Sequence, residues 1–291
     1  MLKQIARTLW TKSPRDYWRR LRGGAAGAAE SYWSFGKHAQ WNRLPYYLQL
    51  FEAACRKSGR ELHFPGARVL EIGAGPALGL IPFAIMGGAR SCAIVDPGYR
   101  EVRGTPGFTN EYLLPLYQTQ KFLVGDAGPA TFDEFLKRID AIDVRVSGLE
   151  DAGAIGEPFE LVLSKSCLAE IADVKRAAQA CQALSAPGSL HLHYIGLAMY
   201  YERDRLGSPF GETYQHSRAE NPEYLQNPGG VINLLRWTDY VEMFRGLFSN
   251  VLFLPLEDHA GRLDLAHRHA DWSAYPETSL SVANGLLLAV R

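Results

Sequence analysis

The sequence has few cysteines, and their spacing does not pair them. Its 291 residues include four, which lie far apart and form no Cys-x-x-Cys pair: Cys55, Cys92, Cys167 and Cys181. Widely separated thiols are typical of proteins in a reducing compartment, whereas disulfide frameworks and zinc sites show close, regular spacings. The cysteines therefore predict a cytoplasmic protein with no disulfide framework and no metal site.

Two further features are missing, a long apolar run and a net charge. No uninterrupted apolar stretch reaches the roughly 18 residues that a membrane-spanning helix needs. The 31 basic residues balance the 31 acidic ones, so no global electrostatic field would attract nucleic acid. The sequence therefore predicts neither a spanning helix nor a nucleic-acid partner.

Residues 1–22 are the exception to this charge balance. They contain seven Lys and Arg residues against the single acid Asp16, and they interleave these charges with Leu, Ile, Trp and Tyr. Two interpretations are open. The segment either contacts an anionic surface, such as the inner face of a membrane or an acidic partner, or forms a solvated leader packed loosely on the domain.

Apolar runs and amphipathic segments alternate along the rest of the chain. Strands are predicted at 67–72, 91–95, 142–146, 159–164, 189–195, 250–254 and 286–290, with helices between most of them. This order predicts an α/β fold, a doubly wound and mostly parallel seven-stranded sheet. We divide the chain into a basic leader with helices, 1–64, and a main domain, 65–291, with a lid insertion at about 196–246. The lid includes a predicted helix in "VINLLRWTDYVEMFRGLF", residues 231–248.

The most informative stretch is "RVLEIGAGPALGLIPFAIMGGARSCAIVDPGYR", residues 68–100. It predicts a buried strand, a glycine turn, a helix and a second strand that ends at Asp96. The glycines Gly73, Gly75 and Gly79 have the spacing G-x-G-x-x-x-G, one residue longer than the dinucleotide fingerprint, and no Gly-Lys-Ser/Thr follows as in a P-loop. Glu71 lies two residues before the first glycine, where a carboxylate would repel a diphosphate but suit a cation. The pattern favours a cationic amino-acid nucleotide.

These residues resemble motif I of the class I S-adenosylmethionine-dependent methyltransferases. The resemblance covers roughly 65–195 and the last two strands, and it implies a Rossmann-like fold with S-adenosyl-L-methionine as the cofactor. It places Asp96 at the ribose hydroxyls and either Glu150 or Asp151 beside the adenine. Ala169 and Glu170 stand where the family often has Glu-His, so no catalytic role is carried over to them. The cofactor-binding residues implied are Glu71, Gly73, Ala74, Gly75, Gly79, Asp96, Pro97, Glu150, Asp151 and Ser164.

The acceptor is predicted to be a small molecule or a glycan held between the lid and the N-terminal helices. Aromatic residues in those segments, interspersed with Arg, Asp and Asn, suit a polyhydroxylated molecule. Residues 191–244 also resemble bacterial methyltransferases of glycan and surface-polysaccharide clusters, which implies O-methylation in polysaccharide biosynthesis. Removing the proton of a hydroxyl calls for a base. The candidates are His193, at the predicted end of its strand, and then Asp204 and Glu212 in the lid; a core role for His193 is the competing interpretation.

Two other functions and one other site stay open at this point. A natural-product O- or N-methyltransferase and an inactive, cofactor-binding partner subunit would each fit the same cofactor residues. His267 and His269 could serve a metal-assisted reaction, but they lack a fixed ligand spacing, and exposed loop histidines are the commoner explanation. The oligomeric state cannot be predicted from the sequence.

Overall fold

The structure is a computed structural model that describes residues 44–75, 77–153, 155–197, 210, 213–220, 233–261, 263 and 265–291. Residues 1–22 and most of the predicted lid, with Asp204 and Glu212, lie outside the described residues. Among the described helices, none combines the length and the apolar character that crossing a bilayer requires.

A seven-stranded sheet forms the centre of the molecule, with the strand order β3-β2-β1-β4-β5-β7-β6. Four neighbouring pairs are parallel, and β7 is antiparallel to both β5 and β6. The prediction of a doubly wound, mostly parallel seven-stranded sheet is confirmed. The strands are β1 Arg68–Ile72, β2 Ser91–Val95, β3 Asp143–Arg145, β4 Phe159–Lys165, β5 Ser185–Gly196, β6 Ser249–Asp258 and β7 Val282–Val290.

Helices cover both faces of the sheet. Side chains of successive strand residues point to opposite faces, so each strand packs against a helix layer on either side. One face, with Val69 and Leu161, packs against α1 (44–57), α2 Ile81–Met86, α3 Leu114–Val124 and α4 Phe132–Asp140. The other face, with Leu70 and Val162, packs against α5 Val174–Leu184 and α6 Trp237–Arg245. A one-turn helix, α7 Glu277–Leu280, precedes β7. The strands thus have buried side chains on both faces, as parallel sheets require.

Side-chain caps determine where several helices begin. The hydroxyl of Thr131 accepts from the N–H of Glu134, whose carboxylate in turn accepts from the N–H of Thr131, and α4 follows this capping box. Asp173 caps α5 by accepting from the N–H of Arg176.

Two predicted helix boundaries are wrong. Helix α5 ends at Leu184, before Pro187-Gly188, because Ser185 already has extended backbone and its hydroxyl donates to the carbonyl oxygen of Cys181. Helix α6 begins at Trp237 rather than near Val231, since the carboxylate of Asp239 accepts from the N–H of Arg236 and stops the helix there. Helix α6 packs on β6 and β7, so the predicted lid ends before this helix.

Buried Arg236 connects the start of α6 to the segment before β7. Its guanidinium donates to the carbonyl oxygens of Leu197 and Val282, at 3.0 and 2.7 Å, and more weakly to those of Ser279 and Leu280. A planar group with five N–H donors is suited to satisfying several carbonyls at once. Arg236 therefore holds the end of β5, α7 and β7 together.

Candidate active site

The carboxyl ends of β1 and β2 meet at the glycine turn. Gly73 follows β1 with φ +69°, and its N–H donates to the carbonyl oxygen of Val95 in β2 at 2.9 Å. A Cβ atom at position 73 would lie 2.4 Å from the Cβ atom of Cys167, so only glycine fits there. Gly75 also has a positive φ, and Ala74 between them is buried. Ligands of open parallel sheets bind at this edge.

Asp96 lies directly after β2 and faces the glycine turn. Its Oδ2 accepts from the N–H of Gly75 and its Oδ1 from the N–H of Gly98, both at 2.7 Å. The side chain is only slightly exposed. Because each carboxylate oxygen can accept more than one hydrogen bond, the two N–H groups orient Asp96 and still leave acceptor capacity for a diol.

Glu71 supports the turn from inside the protein. Its residue is fully buried, and its Oε2 accepts from the N–H of Leu80 at 2.7 Å, while Oε1 has no partner in the part of the chain that the structure describes. Burial raises the pKa of this carboxyl to about 8, although the N–H of Leu80 and the charge of Lys165 act in the opposite direction. A Cβ atom at Gly79 would lie 2.3 Å from Oε1. The sequence predicted that Glu71 and Gly79 contact the cofactor. Their positions indicate instead that they support the turn.

The other predicted cofactor residues divide into two groups. Pro97 is exposed beside Asp96, and Glu150 is half-buried in the turn Leu149–Asp151, so both remain candidates. The carboxylate of Asp151 instead forms an ion pair with Arg176 at 2.9 Å. Ser164 is fully buried on the face covered by α5 and α6 and bonds to His193, so its assignment to the cofactor is not supported by its position.

The predicted base His193 is in the core rather than at the end of its strand. It is fully buried, three residues follow it in β5, and its ring packs against Phe244 of α6 with centroids 5.5 Å apart. Its Nδ1 bonds to the hydroxyl of Ser164 at 2.8 Å. Burial lowers the pKa of His193 to about 3. A base must contact its acceptor, and this position does not allow that contact.

The sequence analysis did not identify three residues that meet near the strand ends: Lys165, Tyr47 and Tyr194. Lys165 is the last residue of β4 and pairs with Tyr194 of β5. Its Nζ lies 5.4 Å from the ring centroid of Tyr47 in α1, and the rings of Tyr47 and Tyr194 form an edge contact with centroids 4.8 Å apart. We call these three residues the aromatic–lysine cluster. A strand predicted one residue longer would have placed Lys165 at the ligand-binding edge.

Glu170 adds a carboxyl group close to the same edge. It ends the short turn Leu168–Glu170 that follows β4, and its residue is exposed. Partial loss of hydration and the nearby charge of Asp96 raise the pKa of this carboxyl, whereas Lys165 lowers it. The strand ends thus combine one lysine, one exposed carboxyl of raised pKa and one carboxylate oriented by backbone N–H groups.

These residues fit a nucleoside without a phosphate group. Asp96 offers hydrogen-bond acceptors to a ribose diol, and the side-chain-free backbone of Gly73 and Gly75 permits close approach. Residues 73–80 of the turn include no Lys or Arg that would bind a phosphate. S-adenosylmethionine has this chemistry, with a ribose diol and a cationic amino-acid part.

Comparisons with known proteins identify the fold. No protein-family profile matches the sequence, and no curated protein matches it. Solved structures do match. Phospholethanolamine N-methyltransferase 2 of Haemonchus contortus, in complex with phosphomonomethylethanolamine and S-adenosylhomocysteine, has a TM-score of 0.51 at 15% identity, over 96% of this chain and 61% of that chain.

Two bacterial structures match with lower scores. An S-adenosylmethionine dependent methyltransferase of Mesorhizobium loti has a TM-score of 0.44 at 16% identity, over 82% of this chain and 96% of that chain. The N-methyltransferase NodS of Bradyrhizobium japonicum has a TM-score of 0.41 at 11% identity, over 88% and 98%. At 15% identity, the likeness to the Haemonchus contortus structure establishes the Rossmann-like α/β fold alone.

Proposed function

We propose that this protein is an S-adenosylmethionine-dependent methyltransferase that methylates a hydroxyl group of a sugar or glycan. The observation that carries the proposal is Asp96, held by the N–H groups of Gly75 and Gly98 at the end of β2, beside a glycine turn without basic residues. This is the edge of the sheet at which doubly wound folds bind nucleosides.

The cofactor half of the site consists of the turn and the residues after β2. Asp96 would accept from the ribose hydroxyls, Gly73, Ala74 and Gly75 would offer their backbone, and Pro97 and Glu150 would flank the nucleoside. When bound, S-adenosylmethionine supplies an activated methyl group on its sulfonium. The residues of the chain then have to align the acceptor with that methyl group and remove a proton.

The acceptor half is the aromatic–lysine cluster. Aromatic faces bind the C–H faces of sugars, and a lysine donates up to three hydrogen bonds to hydroxyl or carboxylate oxygens. Tyr47, Tyr194 and Lys165 therefore favour a polyhydroxylated acceptor over a purely apolar one. Their position at the ends of β4 and β5 places them on the same edge of the sheet as Asp96.

Proton removal is assigned to Glu170 among the described residues. Asp96 and Glu71 are buried and already accept backbone hydrogen bonds, whereas Glu170 is exposed and its pKa is raised. A raised pKa makes a carboxylate a better proton acceptor near neutral pH. The lid carboxylates Asp204 and Glu212 remain alternative bases by prediction.

Calorimetric titration with S-adenosylhomocysteine tests the cofactor half. We expect Asp96→Ala to weaken binding by roughly ten- to a hundredfold, since losing charge-assisted hydrogen bonds costs about 1.5–3 kcal/mol. Asp126→Ala removes an exposed carboxylate whose partner among the described residues is Lys121, and it is the matched control, with unchanged affinity. Equal affinities of folded wild type and Asp96→Ala would contradict the cofactor assignment.

Methyl transfer from labelled S-adenosylmethionine to a panel of acceptors tests the acceptor half. The panel contains sugars and glycans, aromatic and aliphatic natural-product hydroxyls, and amines. Transfer to a sugar hydroxyl that is lost in Glu170→Gln supports the proposal. Transfer to the other classes alone identifies a natural-product enzyme, and cofactor binding without any transfer identifies an inactive partner subunit.

A further inference from the structure

A second group of polar side chains lies in the core, on the face of the sheet covered by α5 and α6. It consists of Cys181 of α5 and His191 and His193 of β5, all fully buried. One ligand atom from each residue lies within 4.8 Å of the other two. Among the described residues no other group of three or more His, Cys, Asp or Glu side chains meets this distance.

Two nitrogen atoms in this cluster have no hydrogen-bond partner within the described ranges, Nδ1 of His191 and Nε2 of His193. A buried polar atom without a partner is costly, with a penalty of about 1–3 kcal/mol. The sequence analysis did not connect the three residues, because Cys181 is separated from the histidines by the end of α5. Their proximity results from packing α5 on β5.

Hydrogen bonds engage one ring nitrogen of His191. Its Nε2 contacts the hydroxyl oxygens of Ser185 and Ser189, at 3.0 and 3.3 Å, and the hydroxyl of Ser185 donates to the carbonyl oxygen of Cys181. Nδ1 has no such contact among the described residues. With Nε2 engaged, Nδ1 is the nitrogen left to bind a cation.

Hydrogen bonding likewise engages one ring nitrogen of His193. Its Nδ1 bonds to the hydroxyl of Ser164 at 2.8 Å. Nε2 has no partner among the described residues, so it is the nitrogen left to bind a cation.

We propose that Cys181, His191 and His193 bind a copper ion in its monovalent state, through Sγ, Nδ1 and Nε2. Thiolate and imidazole are ligands that copper prefers, and hydrogen bonds to the second ring nitrogen commonly orient metal-binding histidines. Mg²⁺ and Ca²⁺ require oxygen ligands, which this cluster lacks.

Charge and coordination number distinguish copper from zinc at this position. One thiolate and one Cu⁺ give no net charge, whereas Zn²⁺ would leave an uncompensated positive charge in a core closed by the rings of Phe244 and Phe248. Structural zinc sites also have four ligands, and this cluster has three. Binding breaks the S–H bond of Cys181, forms the Cu–S bond and releases one proton to solvent, with no change of oxidation state.

Binding requires a small contraction of the cluster. Metal–ligand bonds of about 2.0–2.3 Å separate the ligand atoms by roughly 3.3–3.8 Å. One ligand atom from each residue lies within 4.8 Å of the other two, so binding brings these atoms closer by up to roughly 1–1.5 Å, which side-chain rotation can supply. The ion would connect α5 to β5 within the core. None of its three ligands belongs to the proposed cofactor or acceptor half, so this proposal does not depend on the proposed function.

The test measures copper directly. The full chain is unfolded, refolded without oxygen in the presence of one equivalent of Cu⁺ or of Zn²⁺, and passed over a desalting column. Bound metal is then counted by mass spectrometry. We expect about one copper per chain in the wild type, and at least tenfold less copper in Cys181→Ala. Cys55→Ala removes another buried cysteine outside the cluster and should retain copper.

Three results would overturn the proposal. In the first, the wild type refolds but retains less than about a tenth of an equivalent of copper. In the second, the wild type binds one equivalent of zinc and no copper. In the third, the variant Cys181→Ala retains copper. If Cys181→Ala does not refold, X-ray absorption of the copper-loaded wild type decides, because the proposal requires one sulfur and two nitrogen neighbours. Any other first coordination sphere would contradict it.

Discussion

Glu71 couples pH to the stability of the glycine turn. Its pKa is raised from 4.5 to about 8 in the folded protein because the carboxyl is fully buried. A group whose pKa is higher in the folded state contributes its full stability below the unfolded pKa of 4.5, and this contribution is lost as pH rises toward 8. The folded protein without nucleotide should therefore lose stability through Glu71 over this range.

We expect Glu71→Gln to remove that loss, because glutamine keeps an acceptor for the N–H of Leu80 and cannot ionise. Between pH 5 and pH 8 the free energy of unfolding of Glu71→Gln should rise relative to the wild type, by up to about 1.4 kcal/mol per pH unit. Urea unfolding at several pH values measures the difference. Parallel pH profiles of the two proteins would show that Glu71 does not titrate in this range.

At the residue scale, the contact of Asp96 with the glycine turn could be predicted, and the contact of Lys165 with Tyr47 could not. Gly73, Gly75 and Asp96 belong to one continuous stretch, so their spacing predicts that they meet. Lys165 and Tyr47 meet only because α1 packs across the ends of β4 and β5, and no local pattern encodes that contact. His193 was misplaced because α6 covers its face of the sheet and buries the ring against Phe244.

At the element scale, the turn between β1 and α2 depends on the absence of side chains. Gly73 and Gly104 have similar positive φ values of +69° and +75°, but a Cβ atom at 73 would contact Cys167, whereas the space around Gly104 is open. Both substitutions by alanine impose backbone strain of about 1–3 kcal/mol, and only the one at 73 adds a steric clash.

We therefore expect Gly73→Ala to lower the free energy of unfolding by more than Gly104→Ala. The difference in the free energy of unfolding between the two variants measures the cost of the steric clash separately from the backbone strain. Chemical denaturation gives both values. A larger loss in Gly104→Ala would mean that the turn can move away from Cys167 at little cost.

Elements bounded by strong local signals were predicted closely. The apolar run of β2 begins after a glycine-rich turn and ends at Asp96, and its predicted and observed limits coincide, Ser91–Val95. The start of β5 was predicted too late because Pro187-Gly188 appeared to end a helix, although Ser185 ends it earlier. Strand β6 extends beyond its apolar run, since an antiparallel strand at the sheet edge tolerates polar residues. Strand β7 begins earlier than predicted because Asn284 and Gly285 pair with both β5 and β6.

At the scale of the whole molecule, the remaining prediction concerns what residues 1–22 contact. If these residues contact an anionic surface, the full chain should co-sediment with vesicles containing phosphatidylserine, and less so at high salt, because salt screens the attraction. Deleting residues 1–22 should abolish co-sedimentation and leave the affinity for S-adenosylhomocysteine unchanged. Failure of the full chain to sediment would favour the solvated leader.

The position of β7 has a consequence for how the protein is made. A ribosome releases the strands in sequence order, yet β7, the last of the seven, inserts between β5 and β6. The five strands β3-β2-β1-β4-β5, with the glycine turn and Asp96, can pair as they emerge. Among the described strands, β6 pairs with β7 alone, so it has to wait for translation to reach Val282–Val290. During that interval the nascent chain exposes one open edge on β5, which makes this the stage at which a chaperone would be needed.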